Sequence, residues 1–375
     1  MPASARPYDV AIVGASGYTG TLCAEQCVRA GLSVLLVGRN AKKLLVLAAQ
    51  LGGLPTAEFV AGNVESLAQV LVQARVVLAC AGPFSSVGLP IVNAAMRARC
   101  TYLDISGELP FVRQIQTMQL QAEQAGVALI PCAGFDSVIG ETAAVLAAQQ
   151  LQQPIAAVRL SVATTTQPSR GSLQTLWAGL GHGDYDFAWR ANALQAQSVA
   201  SIDWRTLLPV PFGPVRVAAL GLVELATASR ALACAQVQTG IAFPLPRALW
   251  LAAAAARWLH GPGWLRKPLL TLINAALGRL GAGGSASRRA ASRTAVLAEV
   301  TNGAGHQAAC TVNAGDISAL TASCAALCVQ LAMREPPKPG VWTPTQAFGA
   351  DALRTGLLPS GALFSLHNGQ LPSLR

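Results

Sequence analysis

Residues 8–20 read Tyr-Asp-Val-Ala-Ile-Val-Gly-Ala-Ser-Gly-Tyr-Thr-Gly, and Gly38-Arg39-Asn40 comes shortly after them. The apolar, β-branched run from Tyr8 to Val13 predicts a buried parallel strand. Gly14, Gly17 and Gly20 then suit a tight turn, close backbone approach to a diphosphate and close packing of the next helix. The intervening Ser16, Tyr18 and Thr19 put further N–H groups at that helix start, where phosphates bind. In dinucleotide sites an acidic residue ending the second strand takes a ribose hydroxyl. Here the second strand, 33–37, ends in Gly38-Arg39-Asn40, with Lys42 and Lys43 close behind. A guanidinium cannot accept a hydroxyl hydrogen bond, but it pairs bidentately with a phosphate. The cofactor expected is NADP(H), held by Gly14 to Gly20, Arg39, Asn40 and Lys43. The spacing is G-x-x-G-x-x-G rather than G-x-G-x-x-G, so the flanking strands and helix carry the reading.

Elements that would position this motif follow along the chain. Further strands are expected at 58–61, 75–79, 101–103 and 127–131. One helix has Pro90 in its first turn and runs to about Arg99. Another spans about 110–125 and stops at Gly126, a C-cap glycine. Strands alternating with helices predict an α/β fold, a Rossmann-type doubly wound parallel sheet. Ligands bind beyond the carboxyl ends of such strands. Three loops therefore matter: Cys80 to Gly88, Asp104 to Glu108, and Cys132 to Ser137. Ala81, Gly82, Pro83 and Phe84 in the first suit backbone approach to the cofactor. No Tyr-x-x-x-Lys pair offers a proton donor. The catalytic candidates are therefore Asp104, Glu108, Asp136 and Ser137, with Ser106 beside them. Glu108 or Asp136, if partly desolvated, would hold a proton near neutral pH. Asp136 equally suits a helix cap.

Length favours two domains, because single cores rarely grow past ~250 to 300 residues. The organisation expected is a Rossmann domain over 1–140, an α+β domain on a largely antiparallel sheet over 141–335, and a C-terminal return segment over 336–375. The second domain carries alternating, β-branched stretches at 158–166, 215–220, 235–243, 293–301 and 308–312. Asn302-Gly-Ala-Gly305 joins the last two as a hairpin turn. Asp316 would cap a helix running to about Met333. Thr343-Pro344-Thr345-Gln346 reads as a capping box with proline at the first helical position.

Hydrophobic residues make up 52% of the chain and charged ones 12%, so disorder is excluded as a global state. The net charge of +10 raises nucleic acid as a partner. The basic residues are scattered arginines without interleaved aromatics, which argues against it. Nine cysteines occur without C-x-x-C spacing, and the four histidines are isolated, so no metal is expected. No apolar leader opens the chain, which points to the cytoplasm. Residues 244–283 hold two apolar stretches punctuated by Arg and Trp, each shorter than the ~20 residues that span a bilayer. Two readings stand for them: peripheral membrane contact, or packing within the fold or a homodimer.

Gly14-Ala-Ser-Gly-Tyr-Thr-Gly20, Gly38-Arg39-Asn40, Ala81-Gly-Pro-Phe84 with Pro90, Tyr102-Leu-Asp-Ile-Ser-Gly-Glu108 and Gly134-Phe-Asp-Ser137 occur in this order. Together they resemble the saccharopine dehydrogenase-like oxidoreductases, in particular the trans-acting enoyl reductase branch. Ser169-Arg-Gly-Ser172 and Thr343-Pro344 with Ala347-Phe348-Gly349 also resemble that branch. The resemblance implies an NADPH-binding domain, a following substrate domain, and hydride transfer to an activated double bond of an apolar, lipid- or polyketide-like small molecule. Saccharopine reductases proper act on a charged imine, and a ketone or imine reductase is the alternative. A different class is a lipid-associated protein that binds NADPH without turnover. After Ser137 the run Val-Ile-Gly-Glu141 departs from the branch pattern, which bears on the substrate.

Overall fold

The computed structural model describes residues 6–151, 154–166, 168–199, 201–242 and 284–368. The apolar segment 244–283 lies outside them. The chain divides into two compact units, Met1–Thr142 with Ser318–Ser360 and Ala143–Ile317 with Gly361–Arg375.

In the first unit, strands and helices alternate as β1 (Tyr8–Val13), α1 (Tyr18–Arg29), β2 (Val34–Gly38), α2 (Ala41–Gln50), β3 (Thr56–Glu58) and α3 (Val64–Leu71). They continue as β4 (Ala74–Ala79), α4 (Phe84–Arg97), β5 (Thr101–Asp104), α5 (Leu109–Gln116), α6 (Gln119–Ala125), β6 (Ala128–Ile130) and α7 (Phe135–Ala148). Val10 to Val13 are fully buried, as a strand covered on both faces requires. Three sequence expectations are corrected here. Pro90 lies inside α4, not in its first turn, because that helix begins at Phe84. The helix expected over 110–125 is two, α5 and α6, broken at Thr117 and Met118. The third strand ends at Glu58, where it was expected to start. Gly126 ends α6 at φ +67°, as its C-cap role demands.

The second unit contains β7 (Ile155–Thr164), α8 (Arg170–His182), β8 (Phe187–Arg190), β9 (Ala193–Ala196), β10 (Asp203–Leu208), β11 (Gly213–Ala219), α9 (Glu224–Leu232) and β12 (Gln236–Ala242). After the undescribed segment come α10 (Ala286–Ala291), β13 (Thr294–Asn302) and β14 (Gln307–Ala314). The sheet runs β10-β11-β12-β7-β13-β14, then the late strand β16 (Leu363–Asn368). β12 and β7 pair in parallel and the remaining neighbours antiparallel. Val158, Leu160, Val296, Ala298 and Val300 bury one face of the central pair. The β13–β14 turn is the expected hairpin, with Asn302 Oδ1 accepting from the Ala304 and His306 amides. The strands from 187 to 208 are not among those the sequence predicts, because their short polar–apolar runs resemble loop.

The chain then returns to the first unit through α11 (Ile317–Arg334), β15 (Gly340–Val341), α12 (Pro344–Phe348) and α13 (Ala350–Leu357). β15 joins the edge of the parallel sheet beside β6, giving the order β3-β2-β1-β4-β5-β6-β15. Residues 318–360 thus sit with the first unit instead of a second domain and a separate tail. Among the described residues, α11 alone is long and apolar enough to cross a membrane. Its apolar face, with Leu320, Cys324, Cys328 and Val329, is core of the first unit. Thr343 forms the expected capping box with Gln346.

Glu141 holds this return in place. Its carboxylate, fully buried on α7, accepts from Ser137 Oγ at 2.9 Å, Thr343 Oγ1 at 2.6 Å, Thr345 N at 2.9 Å and Thr345 Oγ1. Burial pushes the group up despite these donors. Glu141→Ala would strand four donors in the interior. It is expected to lower stability by roughly 3–5 kcal/mol, measured by urea unfolding. A loss below ~1 kcal/mol would mean the return segment docks by apolar contact alone.

Candidate active site

The sheet order reverses between β1 and β4, and the crevice of a doubly wound fold opens at their carboxyl ends. Gly14 leaves β1 at φ +85°, and a Cβ there would stand 2.8 Å from Ala81 N. A Cβ on Gly20 would collide with the Gly14 carbonyl oxygen. Glycine at these two positions is therefore a steric requirement. The turn closes on itself, the Gly17 amide donating to Gly14 O at 3.0 Å.

α1 starts with no side-chain cap and no acidic residue in its first turn. The amides of Ser16, Thr19 and Gly20 have no hydrogen-bond partner among the described residues. Buried or half-buried amides rarely go unpaired, so a ligand with acceptor oxygens fits here. At the end of β2, Arg39 is exposed and makes no hydrogen bond or ion pair among the described residues. Asn40 is otherwise engaged: its side chain accepts from the Lys43 amide at 3.0 Å and caps α2. Gly82 and Pro83 are exposed on the β4–α4 loop, and Phe84 is buried against Phe111 with ring centroids 5.4 Å apart. The residues present suit a dinucleotide: a cradle that side chains would fill, open amides for the diphosphate, and an unengaged guanidinium for a 2′-phosphate.

The four catalytic candidates fall into four different environments. Asp104, fully buried at the end of β5, accepts from the Ser106 and Cys132 amides through Oδ1, both at 2.9 Å. Its Oδ2 has no partner, and neither has the buried Tyr102 hydroxyl. Burial first, and then the nearby Asp104 carboxylate, push the Tyr102 phenol well up. Burial pushes Asp104 up to about 6 against the pull of the two amides. Glu108 is occupied at the start of α4, accepting from Phe84 N at 2.7 Å and Ser85 N at 2.8 Å. Ser137 is buried and donates to Glu141.

Asp136 differs from all three. It lies inside the first turn of α7 and accepts no hydrogen bond there, so it is not the helix cap that its position in the sequence allowed. Its carboxyl packs over Gly107, where a Cβ would meet Oδ2 at 2.7 Å. The side chain stays accessible to solvent, yet the protein crowded around it strips enough water to push it up to about 6. Cys132 enters the sequence analysis only as the first residue of the 132–137 loop, with no role of its own. It follows β6 in the left-handed region at φ +62°, a strained conformation for a residue with a Cβ, and its amide anchors Asp104.

Asp104 makes stability depend on pH in a defined direction. Its folded-state value, raised from 3.8 to about 6, favours the protonated form, so stability falls as pH rises through that window. Two pH units correspond to about 3 kcal/mol. Asp104→Asn keeps the amide acceptor and loses the charge. In urea unfolding it should match wild type near pH 4 and exceed it above pH 6. Parallel curves for the two proteins would contradict this account.

Comparison with known proteins agrees with the geometry. Residues 10–130 match the family described as saccharopine dehydrogenase NADP binding domain. A trans-acting enoyl reductase of Mycobacterium tuberculosis is 32% identical over 145 residues, covering 37% of this chain and 35% of the relative. A protein of Arabidopsis thaliana named "probable mitochondrial saccharopine dehydrogenase-like oxidoreductase" is 31% identical over 163 residues, 39% of this chain and 36% of the relative. The chain thus spans about a third of the length of the curated relatives it matches. Among solved structures, the saccharopine dehydrogenase (L-Glu forming) of Saccharomyces cerevisiae superposes with a TM-score of 0.65 at 13% identity, covering 96% of this chain and 99% of that one. The fold resembles that of saccharopine dehydrogenase, and residues 10–130 match the NADP-binding domain of that family.

Proposed function

We propose that the protein is an NADPH-dependent oxidoreductase that reduces an enoyl C=C conjugated to a carbonyl, on an apolar, lipid- or polyketide-like acceptor. One observation carries the cofactor side: the start of α1 keeps three amides without partners, while Arg39 stands unengaged at the end of β2. NADPH, when bound, supplies the hydride. The chain's own part is to hold the diphosphate on those amides, read the 2′-phosphate with Arg39, and present a proton. Asp136 is the group suited to the last role, being accessible, unengaged and raised to about 6. The acceptor's character is supported by the three carboxyl-edge loops, 80–88, 104–108 and 132–137, which contain Asp and Glu but no Lys or Arg. A charged imine acceptor bearing carboxylates would call for basic groups there. That absence ranks the ketone or imine reductase second.

The direct test follows NADPH oxidation in a stopped-flow instrument with an enoyl thioester, a sterol ketone and a cyclic imine. Turnover of the thioester is expected. Tight NADPH binding with no oxidation by any acceptor would instead leave a non-catalytic, NADPH-binding protein. Arg39→Glu should raise the KM for NADPH by roughly a hundredfold and leave that for NADH nearly unchanged. An undiminished preference for NADPH would remove the 2′-phosphate role. If Asp136 delivers the proton, kcat falls as pH rises above about 6, where the acid is lost. Asp136→Asn should lower kcat by ~10²- to 10⁴-fold and abolish that limb of the profile. A variant that retains the limb would place the proton elsewhere.

A further inference from the structure

The two helices that begin at the reversal of strand order are finished in opposite ways. α1 opens with unpaired amides and no acid near its first turn. α4, which is 14 residues long, has each of its first four N–H groups engaged. Phe84 N and Ser85 N donate to the two carboxylate oxygens of Glu108, and Ser86 N and Val87 N donate to Pro83 O at 3.1 and 3.2 Å. Pro83, in the N-cap position, offers no side-chain cap of its own. A helix of this length presents a partial positive charge at its start, and a carboxylate there neutralises it.

Glu108 reaches this place from a different strand and is itself held. Its amide donates to Ser106 Oγ at 3.1 Å, and the Ser106 amide donates to Asp104 Oδ1. Its carbonyl accepts from Val112 N and so opens α5. α4 and α5 are locked in register by the Phe84–Phe111 ring contact and by Gly88, where a Cβ would enter the Phe111 ring. The carboxylate therefore arrives at α4 as a built part of the fold, and the Gly82–Phe84 corner is fixed by it.

We infer that Glu108 is an internal anion that fills the start of α4, positions the β4–α4 corner, and keeps anionic groups of an acceptor away from it. The diphosphate is left with α1 as its one open helix start among these two. The selectivity part rests on the reductase reading given above; the occupancy part does not. Glu108 is on this account a positioning residue that also determines specificity.

The test removes the carboxylate and asks whether a free one replaces it. Glu108→Ala and wild type are compared by thermal unfolding in acetate and in inorganic phosphate, with chloride at matched ionic strength as reference. Acetate and phosphate should raise the Tm of the variant in a saturable manner and leave wild type at its chloride value. The same acetate range should restore the variant's weakened NADPH turnover. Equal responses of the two proteins, or no response of the variant, would overturn the inference. Should Glu108→Ala not fold, Glu108→Gln, which keeps one acceptor and loses the charge, is examined with paired acceptors. Its kcat/KM for a free 2-enoate relative to the uncharged thioester should rise about tenfold over wild type. An unchanged ratio in Glu108→Gln would overturn the selectivity role. If Tm responds to anions while no acceptor at all is turned over, the reductase reading fails and the occupancy of α4 stands.

Discussion

Three amides without protein partners at the start of α1 set the terms for everything around them. The backbone can leave them so because Gly14 and Gly20 bring strand and helix closer together than any side chain permits. No acidic residue lies in the first turn of α1, which keeps the local field positive where a diphosphate would sit. Arg39 extends the same logic one strand over. A lone exposed guanidinium contributes little to stability, and its natural complement is a phosphate of the cofactor class that residues 10–130 are matched to.

Around that positive centre the carboxylates are distributed by environment. Glu141 is buried among hydroxyls and serves the architecture. Glu108 is consumed by a helix start. Asp104 braces two loops through one oxygen and leaves the other unmet beside Tyr102. Of these four, Asp136 is the one both accessible and raised. Residue type gave all four the same credentials; the partners of each oxygen separate them. The departure at Glu141 from the branch pattern also acquires a structural meaning, since its contacts tie the return segment to Ser137 in the 132–137 loop.

The parallel sheet was legible because its determinants are local. A β-branched run, three glycines and an arginine within about thirty residues encode strand, turn and helix start together. The hairpin at Asn302 and the capping box at Thr343 are local in the same sense. What the sequence concealed is long-range. The start of α4 is capped by Glu108, 24 residues downstream, so the local sequence places the helix boundary too late and offers Pro90 as its beginning. The partners of Glu141 lie 202 and 204 residues away, and no periodicity reports them. β15 is two residues long and carries no pattern of its own. The charge state of Asp136 depends on what crowds it, which composition does not encode.

The first unit is assembled from two stretches of chain separated by residues 143–317 of the second. While a ribosome is still producing residues 143–317, the nascent sheet has an unpaired margin at β6, and Glu141 has neither threonine to receive. Both vacancies close only when residues 340–345 emerge. Completion of the nucleotide-binding unit is therefore a late, high-contact-order event in synthesis. A fragment ending near residue 142 would carry every glycine of the fingerprint and still lack the edge that closes its sheet.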